Sequence, residues 1–364
     1  MDVTVIIAAR NAADTLPHQL RALAAQQPRA TWEVLVADNG STDGTVRVAE
    51  AARGWLPVRC LDASAVRGAG AARNAAAAVA RGGALLFCDA DDLVAPGWVD
   101  TLHSALDDAP LAAGRLEWER LNAVADQESR ALPQQHGLQH TEPLPSLPAA
   151  SSSNLAVRRD VFDRLGGFDT DARFLQDTDL CWRAQLAGER LVYVPDAVVH
   201  MRLRQGVVGA WRQGRSSGMG QRWLAARYGA VGAALAAEGT TPVGAVPAGA
   251  VPAGAVPAGT APAGAAPAGA VPAGVAPAGA VPAGTAPDGL AGRPSPVRRL
   301  TRTWPVRVVR RAGMVAGDVL RVRDLGDLTR LSWSTGFGVG FALGGLPDPE
   351  PYRCPETVRT PAIG

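Results

Sequence analysis

The chain has 364 residues, 36 basic side chains that are all arginine, and 34 acids, for a formal net charge of +2. Its four cysteines, Cys60, Cys88, Cys181 and Cys354, have neither metal-binding spacing nor the density of a small secreted scaffold. That excludes a zinc module and a disulfide framework, and it sets a reducing, cytoplasmic compartment as the expectation.

Val3 to Ala8 is a short apolar run, followed by Asp14-Thr15 and then Leu16, Leu20 and Leu23 at helical spacing, so the chain opens as strand, cap and helix. No basic leader or cleavage site precedes that strand, and no secretory signal is expected. Val34 to Val36 is a second strand, and Thr42-Asp43 opens a helix through Arg53. Val58 to Leu61 is a third strand, Gly68 to Arg81 an alanine-rich helix, Ala84 to Phe87 a fourth strand, and Pro96 to Leu106 a helix with proline in its first turn. Alternating units of this length imply an α/β fold, a mostly parallel sheet with helices on both faces. Later elements are a helix from Asp177 through Leu186, a strand through Val198-Val199 that ends at His200, and a helix over Trp211–Tyr228.

From 240 to 292 the composition changes. Proline recurs every five residues from Pro242 to Pro287 in units of the type Ala-Val-Pro-Ala-Gly, with no side chain larger than valine inside the repeats. Burial cannot offset the ordering entropy of such a segment, so a disordered linker is expected. Beyond it, residues 293–364 hold 12 arginines against 6 acids. Val308, Ala312, Val315, Val319 and Val322 recur on one helical face, with Arg307, Arg310, Arg311 and Arg321 on the other. Such a helix suits either an anionic membrane surface or a dock on the preceding domain. Leu331 to Leu346 is apolar but 16 residues long, short of the ~20 needed to span a bilayer. The division is therefore a domain over 1–235, the linker, a helical tail over 293–346 and a flexible end over 347–364. The arginines lack interleaved aromatic residues, and no nucleic-acid partner is expected.

In a parallel sheet each strand delivers its C-terminal loop to one edge, where ligands of open α/β sheets collect. Those loops are Ala9-Arg10-Asn11, the run from Asp38 to Gly44, and Asp89-Ala90-Asp91-Asp92. Oxygen-only ligands such as Asp89 and Asp91 suit a hard divalent cation, Mg2+ or Mn2+, and the companion of such a cation is a diphosphate. Asp38 is spaced like the residue that selects a ribose or base, but no Gly-x-Gly-x-x-Gly follows the first strand, so a mononucleotide diphosphate fits better than a dinucleotide. Arg67 and Arg73 flank the turn that opens the third helix and would favour an anion there. Each has a plainer reading: Asp38 as an Asx-turn, Asp177 or Asp179 as a helix cap, Arg73 as an exposed charge, His200 as a packing residue.

Eight blocks in order resemble the family 2 glycosyltransferases with a GT-A fold. They are Val5-Ile6-Ile7-Ala8-Ala9-Arg10-Asn11, the run from Asp38 to Thr45, Gly70-Ala71-Ala72-Arg73-Asn74, Asp89-Ala90-Asp91-Asp92, the run from Asn154 to Arg159, Gly166-Gly167-Phe168-Asp169, the run from Gln176 to Arg183, and the run from Tyr193 to His200. The resemblance implies inverting transfer of a sugar from a nucleotide diphosphate to a hydroxyl of a glycan or lipid-linked acceptor. It implies that Asp38 and Arg73 hold the nucleotide, that Asp89 faces its ribose, and that Asp91 binds the metal bridging the diphosphate. Asp177 would be the general base and His200 would sit near the metal or the leaving phosphate. Gln176 departs from the glutamate common in the family, and Met219 replaces the glutamine of the Gln-x-x-Arg-Trp block of processive members, so single addition is expected. A sugar nucleotidyltransferase and a non-catalytic binding protein stay open as alternatives. The location implied is cytoplasmic, with peripheral contact at the inner face of the membrane through the tail.

Overall fold

A computed structural model of the chain describes residues 1–127, 134–238 and 324–353. The expected linker at 240–292, the basic helix expected over 307–322 and the last eleven residues of the expected flexible end lie outside the described residues. The elements in chain order are β1 (Val3–Ala9), α1 (Leu16–Ala24), β2 (Trp32–Asp38), α2 (Thr45–Ala51), β3 (Val58–Asp62), α3 (Ala69–Val79), β4 (Ala84–Asp89), β5 (Leu93–Val94) and α4 (Trp98–Asp108). They continue with β6 (Leu111–Glu117), α5 (Val124–Gln127), β7 (Asn154–Arg158), α6 (Arg159–Arg164), α7 (Gln176–Leu186), β8 (Leu191–His200), α8 (Gly206–Glu238) and α9 (Leu325–Leu343).

The strands form one eight-stranded sheet in the order β3-β2-β1-β4-β7-β6-β8-β5. β7 runs against both β4 and β6, and β5 against β8, while the other pairings are parallel. The sheet is thus mostly parallel, with helices on both faces as the pattern implies. β1 is central and reads as an unbroken apolar run because both of its faces are covered. Val5 and Ile7 meet Leu16, Leu20 and Leu23 of α1 and Trp98 and Leu102 of α4 on one face. Ile6 meets Ala72 and Ala76 of α3 and Leu180 and Ala184 of α7 on the other. Phe87, Phe162 and Phe168 pack there with ring centroids 5.2–5.6 Å apart.

At the C-terminal edge, the register places Asp38 opposite Ala9 and Asp89 opposite Ala8, so the two acids flank β1 one strand to each side. The antiparallel β7 wedges between β4 and β6, and its first residue Asn154 bridges three elements: Nδ2 donates to Arg115 O and Ala197 O, and Oδ1 accepts from Trp98 Nε1. Gly114 sits beside it where the β6–β8 register slips, and a Cβ there would lie 1.9 Å from Ala197 O. Only glycine fits.

A third apolar cluster lies outside the sheet layers, where Trp182 and Leu186 of α7 meet Trp223, Leu224 and Tyr228 of α8. α9 runs parallel to α8: Ser332 Oγ donates to Val207 O, and Arg222 NH1 donates to Ala342 O. The backbones touch through small residues. A Cβ on Gly214, Gly218, Gly336 or Gly340 would lie 2.0–2.2 Å from a carbonyl oxygen of the facing helix. The apolar run from Leu331 thus lays Gly336 and Gly340 against α8.

Candidate active site

β4 ends at Asp89, and the turn into β5 gathers Asp89, Asp91 and Asp92, with one carboxylate oxygen of each within 4.8 Å of the others. Asp89 is partly buried, Asp91 exposed and Asp92 buried. Asp92 Oδ1 accepts from Arg202 N at 2.8 Å, and Oδ2 has no partner among the described residues. Burial, then the charges of Asp89 and Asp91, push the Asp92 carboxyl well above the usual range. Surrounding protein and then the Asp89 charge push Asp91 up to about 6. Three crowded carboxyls and one orphaned buried oxygen, all hard donors, fit a divalent cation.

Arg73, on the second turn of α3, is 3% exposed. Its NH2 pairs with Asp89 Oδ1 at 2.5 Å, and its guanidinium carbon lies 5.7 Å from the Phe168 ring centroid. Nε and NH1 are buried without partners among the described residues. The plainer reading of Arg73 as an exposed helix charge is thereby overturned, because the alanines around it let α3 lie close on the sheet and carry the guanidinium inward. Asp38 ends β2; its Oδ2 accepts from Ser41 N at 3.2 Å, while Oδ1 is buried without a partner among the described residues. Asp38 shares the sheet edge with the acid cluster without belonging to it. Arg67 is exposed on the loop that leads into α3.

α7 starts beside the same place. A Cβ on Gly70, in the first turn of α3, would lie 3.3 Å from Gln176 Cγ, so Gln176 and Asp177 stand next to the helix that delivers Arg73 to Asp89. Leu175 precedes them in a left-handed conformation, φ 58°, which turns the chain into the helix. The Asp177 carboxylate is tied down on one side: Oδ2 accepts from Ser152 N at 3.0 Å and Ser152 Oγ at 3.2 Å. Oδ1 accepts from the Thr178 amide at 2.9 Å. Asp179 is a different kind of acid. It is fully buried, paired with Arg183 at 2.7 Å, approached by Arg227 at 3.2 Å, and accepts from Tyr228 Oη at 2.6 Å, which pins α8 to α7.

His200 lies beside the acid turn, since it pairs with Leu93 across β8 and β5, but it is outside the three-acid group. Its Nδ1 is hydrogen-bonded to Glu117 Oε2, and its Nε2 contacts Arg120 NH1 at 3.1 Å. Arginine can only donate, so Nε2 accepts and the ring proton sits on Nδ1. Burial works against the Glu117 carboxylate, but the bonds from His200 and the Glu119 and Arg120 amides outweigh it and hold its pKa below the usual value. For His200 to meet a cation, Arg120 must first move.

Asp92 was legible as an acid but not as the third member of the cluster, because successive residues of a strand point to opposite faces and only the turn brings 91 and 92 together. Glu117 and Arg120 carry no local signal, and their partner His200 lies 83 and 80 residues away; the serine run 151–153 reads as an acceptor-side loop, but the bond from Ser152 to Asp177, 25 residues on, has no local signature.

Residues 4–166 match the family model described as glycosyl transferase family 2. That span contains Asp38, Arg67, Arg73, Asp89, Asp91, Asp92 and Ser152, whereas Asp177 and His200 follow it. The succinoglycan biosynthesis protein ExoO of Rhizobium meliloti is 30% identical over 225 residues, covering 57% of this chain and 62% of that protein. The glycosyltransferase AglE of Haloferax volcanii is 29% identical over 202 residues, covering 54% and 65%. Among solved structures, the mannosyltransferase PcManGT of Pyrobaculum calidifontis, in complex with GDP-Man and Mn2+, is 25% identical with a TM-score of 0.46, covering 59% of this chain and 61% of that one. The chain spans less than two thirds of the length of these relatives. The mixed eight-stranded sheet agrees with the fold that the sequence blocks imply, and residues 4–166 carry the family 2 glycosyltransferase domain.

Proposed function

We propose that the protein transfers a sugar, with inversion and one residue at a time, from a nucleotide-diphosphate donor to a hydroxyl of a glycan or lipid-linked acceptor. The observation that carries this reading is the cluster of Asp89, Asp91 and Asp92 at the C-terminal sheet edge, tied through Arg73 to the helix against which Gln176 and Asp177 begin α7. Asp89, Asp91 and Asp92 would hold Mg2+ or Mn2+. Such a cation offsets the charge that grows on a departing diphosphate. Asp38, with its orphaned buried oxygen, Arg73 and the exposed Arg67 would serve the nucleotide. Asp177 acts as the base: its carboxylate is held by Ser152 and accepts the acceptor's proton as the hydroxyl oxygen attacks the sugar's anomeric carbon. His200 stays in the proposal as a neighbour of the cation, reachable once Arg120 is displaced.

The role of ExoO in succinoglycan biosynthesis supports a glycan acceptor. No helix among the described residues is long and apolar enough to cross a membrane. Peripheral contact at the inner face of the membrane, from a cytoplasmic location, is supported by Val208, Trp211, Leu325 and Leu328, which are exposed near the starts of α8 and α9.

The test is incubation of the full chain with a panel of UDP- and GDP-sugars, with Mn2+, with Mg2+ and with EDTA, following release of the nucleoside diphosphate. We expect release with at least one donor that EDTA abolishes. Absence of both nucleotide binding and turnover across the panel sinks the proposal, and pyrophosphate release from a nucleoside triphosphate replaces it with a nucleotidyltransferase.

A further inference from the structure

α1 contains a glutamine that takes no part in the chemistry proposed above. Gln19 lies on the sheet-facing side of α1 with Leu16, Leu20 and Leu23, and it is fully buried. An amide persists in such surroundings only when both of its groups are hydrogen-bonded. Nε2 donates to Asp89 O at 3.1 Å, and Oε1 accepts from Val94 N at 3.0 Å. These two main-chain groups are the ends of the turn that carries Asp91 and Asp92. Gln26, just past α1, repeats the arrangement on the next stretch, with Nε2 donating to Ala95 O at 2.9 Å and Oε1 accepting from Val99 N at 3.5 Å.

The turn needs such support. Three carboxylates within 4.8 Å repel one another, and a turn free to relax would spread them. On the ligand side it is held by Arg73, which pairs with Asp89, and by Arg202, whose N and Nε bond Asp92 Oδ1 and Asp91 O. Gln19 acts from the opposite, core side, and both of its hydrogen bonds to the ends of the turn go to main chain. Among uncharged side chains, an amide supplies a donor and an acceptor on one head, and the glutamine arm has the length to span the two ends.

We propose that Gln19 is a positioning residue for the cation site: by hydrogen-bonding Asp89 O and Val94 N together from the core, it keeps Asp89, Asp91 and Asp92 at the separation a divalent cation needs. This rests on the reading that the three acids bind such a cation. Gln19 itself touches neither cation nor substrate.

The experiment compares the full chain with Gln19→Leu and Gln19→Met, the second being close to glutamine in shape should the first fold poorly. Two quantities are measured: amide hydrogen exchange at Val94, and binding of Mn2+ alone, followed by electron paramagnetic resonance of the free ion. We expect faster exchange at Val94 and an affinity for Mn2+ lower by about 10–100-fold, the usual cost of losing a residue that orients metal ligands. Unchanged exchange overturns the proposal, as does faster exchange with parental Mn2+ affinity. Failure of both variants to fold also overturns it, since Gln19 would then serve the fold as a whole. A parent protein that binds no Mn2+ refutes the cation reading itself, an outcome seen before any variant is made.

Discussion

Neutralising one acid of the cluster should stabilise the cation-free protein while abolishing its response to metal. In Asp92→Asn, Oδ1 keeps the bond from Arg202 N, and the new amide nitrogen can take the place of the orphaned Oδ2, where it faces the remaining carboxylates. Two unit charges 4.8 Å apart repel by about 3–4 kcal/mol at an effective dielectric constant of 20. Burial and the charges of Asp89 and Asp91 raise the Asp92 carboxyl well above 3.8, so ionising it works against the folded state. A carboxyl whose pKa is raised on folding opposes the folded state once ionised. Its penalty is absent well below pH 3.8 and grows as the pH rises toward the raised value. At pH 7.5 and without metal, Asp92→Asn should therefore melt about 2–4 °C above the parent for each kcal/mol of repulsion relieved, and at pH 4 the gap should close. Saturating Mn2+, at about 100 times its dissociation constant, should add about 2.7 kcal/mol to the parent at pH 7.5, much less at pH 5, and nothing to the variant. Differential scanning fluorimetry at both pH values with and without EDTA reads all of this. A variant that melts lower than the parent at pH 7.5 without metal, or that keeps the parental response to Mn2+, would refute the reasoning.

Four further outcomes follow from individual positions. Asp177→Asn should lower kcat by about 10²–10⁴-fold while calorimetry finds nucleoside-diphosphate binding within a factor of two of the parent; a comparable loss of binding would move Asp177 from base to donor contact. Ser152→Ala removes the hydroxyl from Asp177 Oδ2 but keeps the amide, and should cost about tenfold in kcat with KM little changed. Gly218→Val places a side chain where a Cβ already meets Phe337 O at 2.1 Å, and should separate α9 from α8 at a cost of about 1–3 kcal/mol, read as faster hydrogen exchange over Leu325–Leu343. Gly229→Ala, on the same helix with nothing within 4 Å, should be neutral or slightly stabilising.

Much of the site was readable in the chain because parallel β/α units impose local rules. Val3–Ala8, Val34–Val36, Val58–Leu61 and Ala84–Phe87 declare themselves as buried strands, and whatever follows such strands must collect at one edge. Asp38 and Asp89 come to flank β1 for that reason alone. Local pattern could not show that β7 enters antiparallel between β4 and β6, since strand direction depends on partners distant in sequence. Nor could it separate Asp177 from Asp179, two acids on one helical turn: rotation of α7 against α8 buries Asp179 among Arg183, Arg227 and Tyr228 and leaves Asp177 to Ser152. His200 likewise looked open as a ligand until folding brought Glu117 and Arg120 to its two nitrogens. Composition and periodicity determined which elements form and which edge carries acids; tertiary packing decided which of those acids are free to act, because burial and hydrogen-bond partners are properties of the assembled neighbourhood.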